Sequence, residues 1–240
     1  MKNLRYLTGF VIFLAIGGCI NGQFRKTVNG NGNVVKKERA VNDSFTGIKV
    51  SSGIDAYITQ GDVPGIVVEA DENLHEYILT EIKGGILNIY TDVEIRHADI
   101  RRVHVVMKDI KSLSTTSAGD IIGETPVRTD DLALNASSAG DIKLEVYAKT
   151  IEADGSSSGD ITLSGEADFL KADMSSAGDL KAYDLKVREA NVIVSSAGDA
   201  DIYVTDKLTA RSSSAGDINY KGDPKYIDAH SSSAGDINKK

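Results

Sequence analysis

From residue 116 onward, apolar and polar side chains alternate in short runs, and the runs are joined by one recurring phrase. Leu132, Leu134 and Ala136 alternate with polar neighbours before one copy of the phrase, and Ile142, Leu144 and Val146 do so after it. Leu170, Ala172 and Met174 repeat the arrangement, as do Ala190, Val192 and Val194, and Ile161 with Leu163 and Ile218 with Tyr220 do so in shorter form. A period of two predicts half-buried strands, because successive side chains leave a strand on opposite faces. No helix-length window with helical spacing lies between these strands, which argues against alternating β and α units.

The phrase is Ser-Ala-Gly-Asp, with one Ser-Ser-Gly-Asp variant. Its seven copies place Gly119-Asp120, Gly140-Asp141, Gly159-Asp160, Gly178-Asp179, Gly198-Asp199, Gly216-Asp217 and Gly235-Asp236. The aspartates are 21, 19, 19, 20, 18 and 19 residues apart. A unit this short cannot bury its apolar face alone and must stack on its neighbours. The pattern predicts an all-β chain folded as a right-handed parallel β-helix, a β-solenoid with coils of about 19 residues. Each coil reads as strand, Ser-Ala-Gly-Asp corner, strand and second turn.

The corner residues carry structural expectations. Ala118, Ala139, Ala177, Ala197, Ala215 and Ala234 are expected to stack where two sheets meet. The glycines are expected either to take a positive φ or to permit a backbone approach that a Cβ would block. Aspartates stacked at ~4.8 Å repel one another unless something offsets the charge. A local Asx-type turn, in which each carboxylate accepts backbone N–H bonds, is the favoured answer. Calcium is the weaker one, since it takes about six to eight oxygens and each unit offers one motif carboxylate.

Residues 41–115 lack the phrase but remain strand-like, in Phe45 to Val50, Ile54 to Ile58, Ile66 to Glu69, Ile86 to Ile89 and Val103 to Met107. Asn73 to Lys83 is the one helix-like stretch, with Leu74, Ile78 and Ile82 on one face. This region is expected to form irregular coils that begin the stack of residues 116–240 and cap it, as solenoids require.

Several phrases in this half resemble a known family. They are Phe45-Thr-Gly-Ile48, Ser51-Ser-Gly-Ile-Asp55, Tyr57-Ile-Thr-Gln-Gly61, Val68-Glu-Ala-Asp-Glu-Asn73 and Gly84-Gly-Ile-Leu-Asn88, joined later by Tyr220-Lys-Gly-Asp-Pro224. With the recurrent corners, they make residues 41–240 similar to the head GIN domain family of auto-transporter adhesins, in the lipoprotein form typical of Bacteroidetes. The family corner is usually Ser-Gly-Ser-Gly-Asp, whereas this chain has Ser-Ser-Ala-Gly-Asp. The resemblance implies a right-handed β-helix in a surface or periplasmic setting, and it supplies no residue-level site.

The first forty residues add an address. Lys2 and Arg5 precede a largely apolar stretch from Leu7 to Ile16, too short to span a bilayer comfortably, and residues 1–18 read as a lipoprotein signal peptide. Ile16-Gly17-Gly18-Cys19 has the form of a lipobox, and Cys19 is the only cysteine. Acylated at Cys19, the mature chain would be held to the membrane by several acyl chains. Residues 19–40, with Arg25, Lys26, Lys36, Lys37 and Arg39 against Glu38, read as a flexible tether. The expected location is the outer membrane of the cell envelope; both the cell surface and the periplasmic face remain candidates.

Charge and missing chemistry narrow the function. Residues 41–240 hold 20 Lys and Arg against 34 Asp and Glu, a net of −14 that would repel nucleic acid. His75, His97, His104 and His230 lack metal-ligand spacing. No nucleophile elbow, phosphate loop or dinucleotide fingerprint occurs, so neither a catalytic residue nor a cofactor is expected. The reading is therefore an adhesin-like or structural envelope protein with a protein or glycan ligand and an open possibility of homo-oligomers. One alternative is a polysaccharide hydrolase or lyase using aspartates stacked at ~5 Å, near a retaining glycosidase's carboxylate separation. The other is a calcium-binding repeat protein. Against the enzyme, the aspartates recur in every coil. The chain also has no tryptophan, and only Tyr183 and Tyr203 share a register beyond the corner.

Overall fold

The computed structural model describes residues 26–240; the signal segment and Cys19 lie outside the described residues. Strand β1 is Thr27–Asn29, β2 Val34–Arg39, β3 Gly47–Val50, β4 Asp55–Gln60 and β5 Gly65–Asp71. A 3-10 turn, Glu72–Leu74, leads to β6 Ile78–Lys83, β7 Ile86–Thr91, β8 Glu94–His97 and β9 Arg101–Met107. Then follow β10 Ser112–Thr115, β11 Asp120–Gly123, β12 Val127–Ser137, β13 Ile142–Ser156 and β14 Ile161–Met174. The last strands are β15 Asp179–Val194, β16 Asp199–Ser212, β17 Asp217–Lys221, β18 Tyr226–Ser231 and β19 Asp236–Lys239.

These strands stack as a β-solenoid of parallel coils about 19 residues long. Inward residues form columns. One runs Ile48, Leu113, Leu134, Ala153, Ala172, Val192, Ala210 and Ala229, one residue per coil. A second, after the corner, runs Ala56, Ile121, Ile142, Ile161, Leu180, Ala200, Ile218 and Ile237. Nearly all of these side chains are buried, and each caps the one below it. Burial of such apolar area is the main stabilising force, at roughly 25 cal/mol per Å². The uneven coil length is absorbed away from the corners: the 20-residue coil bulges between Ala182 and Lys186, and the aspartates stay in register.

Stacking order departs from chain order at the N-terminal end. Strand β7 pairs with β3, and β9 with β4, so residues 86–107 lie beneath a coil that precedes them in the sequence. The chain then lays β10 and β11 on the opposite edges of β3 and β4. Antiparallel strands close the lower end: β5 pairs with β9, β2 with β5, and β6 with β7.

Three expectations are corrected here. The supposed tether contains β1 and β2, and three of its cations are engaged. Lys26 Nζ donates to Tyr77 Oη at 2.7 Å, Lys36 pairs with Glu69 at 3.6 Å, and Arg39 donates to the His75 carbonyl at 2.8 Å. The helix-like stretch becomes a single turn plus β6, because Gly84 and Gly85 (φ 60° and 77°) form a two-residue hairpin turn joining β6 to β7. The corner alanines are exposed and do not pack between sheets.

Candidate functional site

Each corner is a two-residue turn with an unusual backbone. In the second copy, Ser138 and Ala139 both have positive φ, 53° and 59°, and Gly140 N–H closes the turn onto the Ser137 carbonyl at 3.1 Å. Left-handed conformation at both central positions is the type I′ geometry. The same pair recurs in all seven copies, from Ser117-Ala118 to Ser233-Ala234. The strain therefore falls on Ser and Ala, while the following glycine has ordinary φ.

The glycine answers a different need. A Cβ on Gly159 would lie 2.5 Å from the Ala136 carbonyl carbon and the Ser137 nitrogen of the coil below. Gly178 and Gly198 also meet backbone atoms of the coil below, at 2.7 and 2.8 Å. An eighth corner escapes the phrase: Ser51-Ser52-Gly53-Ile54-Asp55, with Ser52 and Gly53 left-handed and Asp55 in register with Asp120. Ile54 occupies the glycine position there because the coil below it, made by β7 and β9, has no such corner. Sequence reading missed this copy because the defining glycine is absent.

Backbone bonds tie the corners into a ladder. Ala118 N–H donates to Ser138 O, Ala139 to Ser157 O and Ala177 to Ser196 O, at 3.0–3.2 Å. The aspartates add a second rail, and it is not the local turn expected. Asp120 Oδ1 accepts the N–H of Asp141 in the next coil at 3.1 Å, and Asp141 that of Asp160 at 3.2 Å. Asp179, Asp199 and Asp217 do the same for Asp199, Asp217 and Asp236, each at 3.2 Å. At Asp160 the rail switches partner: its Oδ2 takes the Lys181 ammonium at 2.6 Å. Burial, followed by neighbouring carboxylates, pushes the pKa of Asp55 and Asp179 up. Burial does the same for Asp120.

Beside the aspartates runs an outward row with one residue per coil: His104, Tyr57, Ile122, Lys143, Thr162, Lys181, Asp201, Asn219 and Asn238. His104 stacks on Tyr57 with ring centroids 5.4 Å apart, and Asn219 donates to Asp201 at 3.0 Å. A shallow groove of about 220 Å³ separates this row from Asp120, Asp141 and Asp160. A broader depression of about 730 Å³ lies by the first two corners, lined by Lys49, Lys83, Tyr90, Ser52 and Ser117 among others. On the bend opposite the corners, Asp168, Arg188, Asp206 and Lys225 form a chain of ion pairs at 3.2–3.5 Å. Such exposed pairs contribute little individually.

The arrangement offers polar recognition along a straight edge. Tyr183 falls in the bulge while Tyr203 pairs with Lys186 and Lys221, so the two tyrosines do not share a platform. Tyr183 instead sits under Lys221, 4.1 Å from ring centroid to Nζ. Among the described residues, no group of three or more His, Cys, Asp or Glu side chains is placed to hold a metal ion. Nor is any helix among them long and apolar enough to cross a membrane.

Solved structures with the same fold come from Bacteroides and Parabacteroides. A protein of Bacteroides fragilis described as a "putative adhesin" aligns with a TM-score of 0.83 at 18% identity, over 89% of this chain and all of that one. One of the same description from Parabacteroides distasonis gives 0.72 at 24%, over 90% of this chain and 100% of that one. A third, also from Parabacteroides distasonis and described as a "putative lipid binding protein", gives 0.68 at 26% with the same coverage. Curated proteins gave no match. Residues 44–224 match the family model described as "Putative auto-transporter adhesin, head GIN domain", and the chain belongs to that family.

Proposed function

We propose that this is an exported, lipid-anchored protein of the cell envelope that binds a protein or glycan through its outward edge and performs no catalysis. The observation that carries the binding role is the outward row. Its backbone is fixed by the ladder, while its side chains change from coil to coil, giving a rigid edge of varied hydrogen-bonding groups. Membership of the adhesin family supports the same reading. The aspartates that an enzyme would need are mostly committed to holding the next coil. An acidic edge beside Lys143 and Lys181 favours a polar, largely uncharged ligand such as a glycan.

Anchoring at Cys19 leaves six residues before Lys26, and the seven steps along the chain give a reach of about 25 Å. Residue 26 enters at the end closed by β2 and β5, so the corner-bearing coils would extend away from the membrane. Labelling with a palmitate analogue tests the anchor, with Cys19→Ser expected to abolish it. A glycan array probed with the chain tests the ligand. Loss of the bound glycan in Lys143→Glu/Lys181→Glu supports the outward row. Turnover of a polysaccharide that disappears in Asp160→Asn or Asp179→Asn would overturn the reading in favour of an enzyme.

A further inference from the structure

The first corner departs from the other seven at the turn itself. It has Gly53 at the second turn position, with φ 62°, where the others carry Ala or, once, Ser158, with φ of 56–62°. The Arg101 side chain fills the space this leaves. A Cβ on Gly53 would lie 3.3–3.6 Å from its Nη1, Nη2 and Cζ, so the guanidinium lies against the glycine by its face. That guanidinium is unlike the others. Among the described residues, Arg39, Arg96, Arg188 and Arg211 have hydrogen bonds or ion pairs, and Arg102 and Arg128 lie over tyrosine rings. Arg101 has none of these partners there, although it is half-buried. Asp55 stands near it but beyond ion-pair distance. A guanidinium offers five N–H donors, and drawing it out of water without an acceptor is costly.

The corner ladder also leaves an acceptor unused here. Each rung runs from the N–H of the second turn residue to the carbonyl of the first turn residue one coil on. Gly53 N–H donates to Ser117 O and Ala118 N–H to Ser138 O, both at 3.0 Å. No corner lies beneath the first one, so the Ser52 carbonyl receives no rung. Ser52 lines two adjoining depressions, of about 730 and 510 Å³, which also share Thr91 and Ser117. Lys49 borders the larger and Arg101 the smaller. The acids of the two depressions are already held, Glu81 by Lys83 at 2.5 Å and Glu94 by Arg96 at 3.7 Å. Residues 26–111 hold eleven Lys and Arg against thirteen Asp and Glu, and residues 112–240 thirteen against twenty-two. The regular coils therefore repel an anion far more than the first corner does.

We propose that the foot of the corner ladder is a binding site for an acidic sugar, separate from the outward row and independent of the ligand assigned to that row. Arg101 takes the sugar carboxylate in two parallel N–H···O bonds, the pairing that guanidinium geometry favours. Lys49 supplies a second positive charge. A ring hydroxyl donates to the Ser52 carbonyl and stands in for the missing rung. A uronic acid carries both groups on one ring. A neutral sugar leaves Arg101 unpaired, and sulfate brings no donor for Ser52. The regular corners cannot repeat this site. At each of them a Cβ occupies the place of the guanidinium, and from Ser117 to Ser214 the corresponding carbonyl carries a rung wherever a corner lies beneath.

Calorimetric titration of the chain carrying Cys19→Ser with an oligogalacturonate tests the site. Saturable binding that weakens as salt rises is the expected result. Arg101→Gln should weaken it roughly tenfold or more, about 1.4 kcal/mol. Gly53→Ala gives a second reading. Alanine already takes this φ in six corners, so the variant should fold and melt near wild type, while its Cβ pushes Arg101 aside and weakens binding severalfold. Lys143→Glu/Lys181→Glu should leave the affinity unchanged, which separates this site from the outward row. No saturation at millimolar oligogalacturonate, or an unchanged affinity in Arg101→Gln, would overturn the proposal. So would equally tight binding of the methyl ester, of a neutral oligosaccharide or of an acidic peptide, and so would displacement by sulfate at constant ionic strength. Loss of binding in Lys143→Glu/Lys181→Glu alone would overturn it by moving the ligand to the outward row.

Discussion

The carboxylate of Asp141 accepts the backbone N–H of Asp160, one coil further along the solenoid, at 3.2 Å. An acidic side chain that reads locally as a turn former is thus a connector between coils. Asp141→Ala leaves that amide without its acceptor and should lower stability by about 1 kcal/mol. Asp141→Asn keeps an acceptor oxygen and should melt near wild type. Hydrogen exchange at the Asp160 amide checks the cause: faster exchange in the alanine variant alone is expected. Calcium and chelator should leave the melting temperature unchanged, and a rise with calcium would restore the metal reading of these aspartates.

Acidity should act on the same rail in a definite direction. Burial holds the pKa of Asp120 and Asp179 above the usual 3.8, so the folded chain takes up protons more readily than the unfolded one. Their contribution is therefore fully favourable below 3.8 and is lost as pH rises through the raised values. The opposite holds for Glu69, whose pKa is lowered by the His104 hydrogen bond and which loses stability on acidification. Comparing melting curves from neutral to mildly acidic pH isolates the rail. Asp120→Asn/Asp179→Asn should gain less, or lose more, on acidification than wild type, and identical curves would refute the assignment.

The corner separates two kinds of backbone demand. Gly159→Ala brings a Cβ against backbone atoms that cannot move aside, and a loss of about 3 kcal/mol is expected. In a chain of this size that is a fall of roughly 6–12 °C in melting temperature. Ser138→Asn/Ala139→Gly installs the pair that best tolerates left-handed φ at both turn positions, and should raise stability by about 1 kcal/mol. Thermal denaturation of the two variants decides, and equal effects would contradict the division of roles between Ala139 and Gly140.

Tyr183 is pushed up to about 12 by burial first and by the Asp201 carboxylate second. Because the fold favours the neutral phenol, stability should decline as pH rises from 10 toward 12. Tyrosinate absorbance should show late-titrating residues, since Tyr90 and Tyr147 are raised as well, and the component assigned to Tyr183 should be absent in Tyr183→Phe. Asp201→Asn should bring it down while leaving it above its ordinary value, since burial persists.

The architecture was legible because it repeats. Alternation fixes which side chains face inward, and a constant interval between Gly-Asp pairs fixes which residues share a column. Hence Leu134, Ala153 and Ala172 could be placed in one core from spacing alone. The helix-like reading of Asn73 to Lys83 failed because Leu74, Ile78 and Ile82 satisfy a helical period by coincidence. The Gly84-Gly85 turn, a stronger local signal, was available and points to a hairpin. Strand β2 was hidden because its charges look like those of a linker until Glu69 stands opposite Lys36.

By itself, then, the sequence determined the coil, its inward face and its corner, since each rests on contacts between a residue and its own repeat. Only the tertiary structure decided that residues 86–107 lie beneath residues 47–60, and that the aspartates from Asp120 to Asp217 reach the next coil. These depend on which strand edges meet after the chain folds back. Parallel pairing across long sequence separations leaves no periodic trace in the residues that take part.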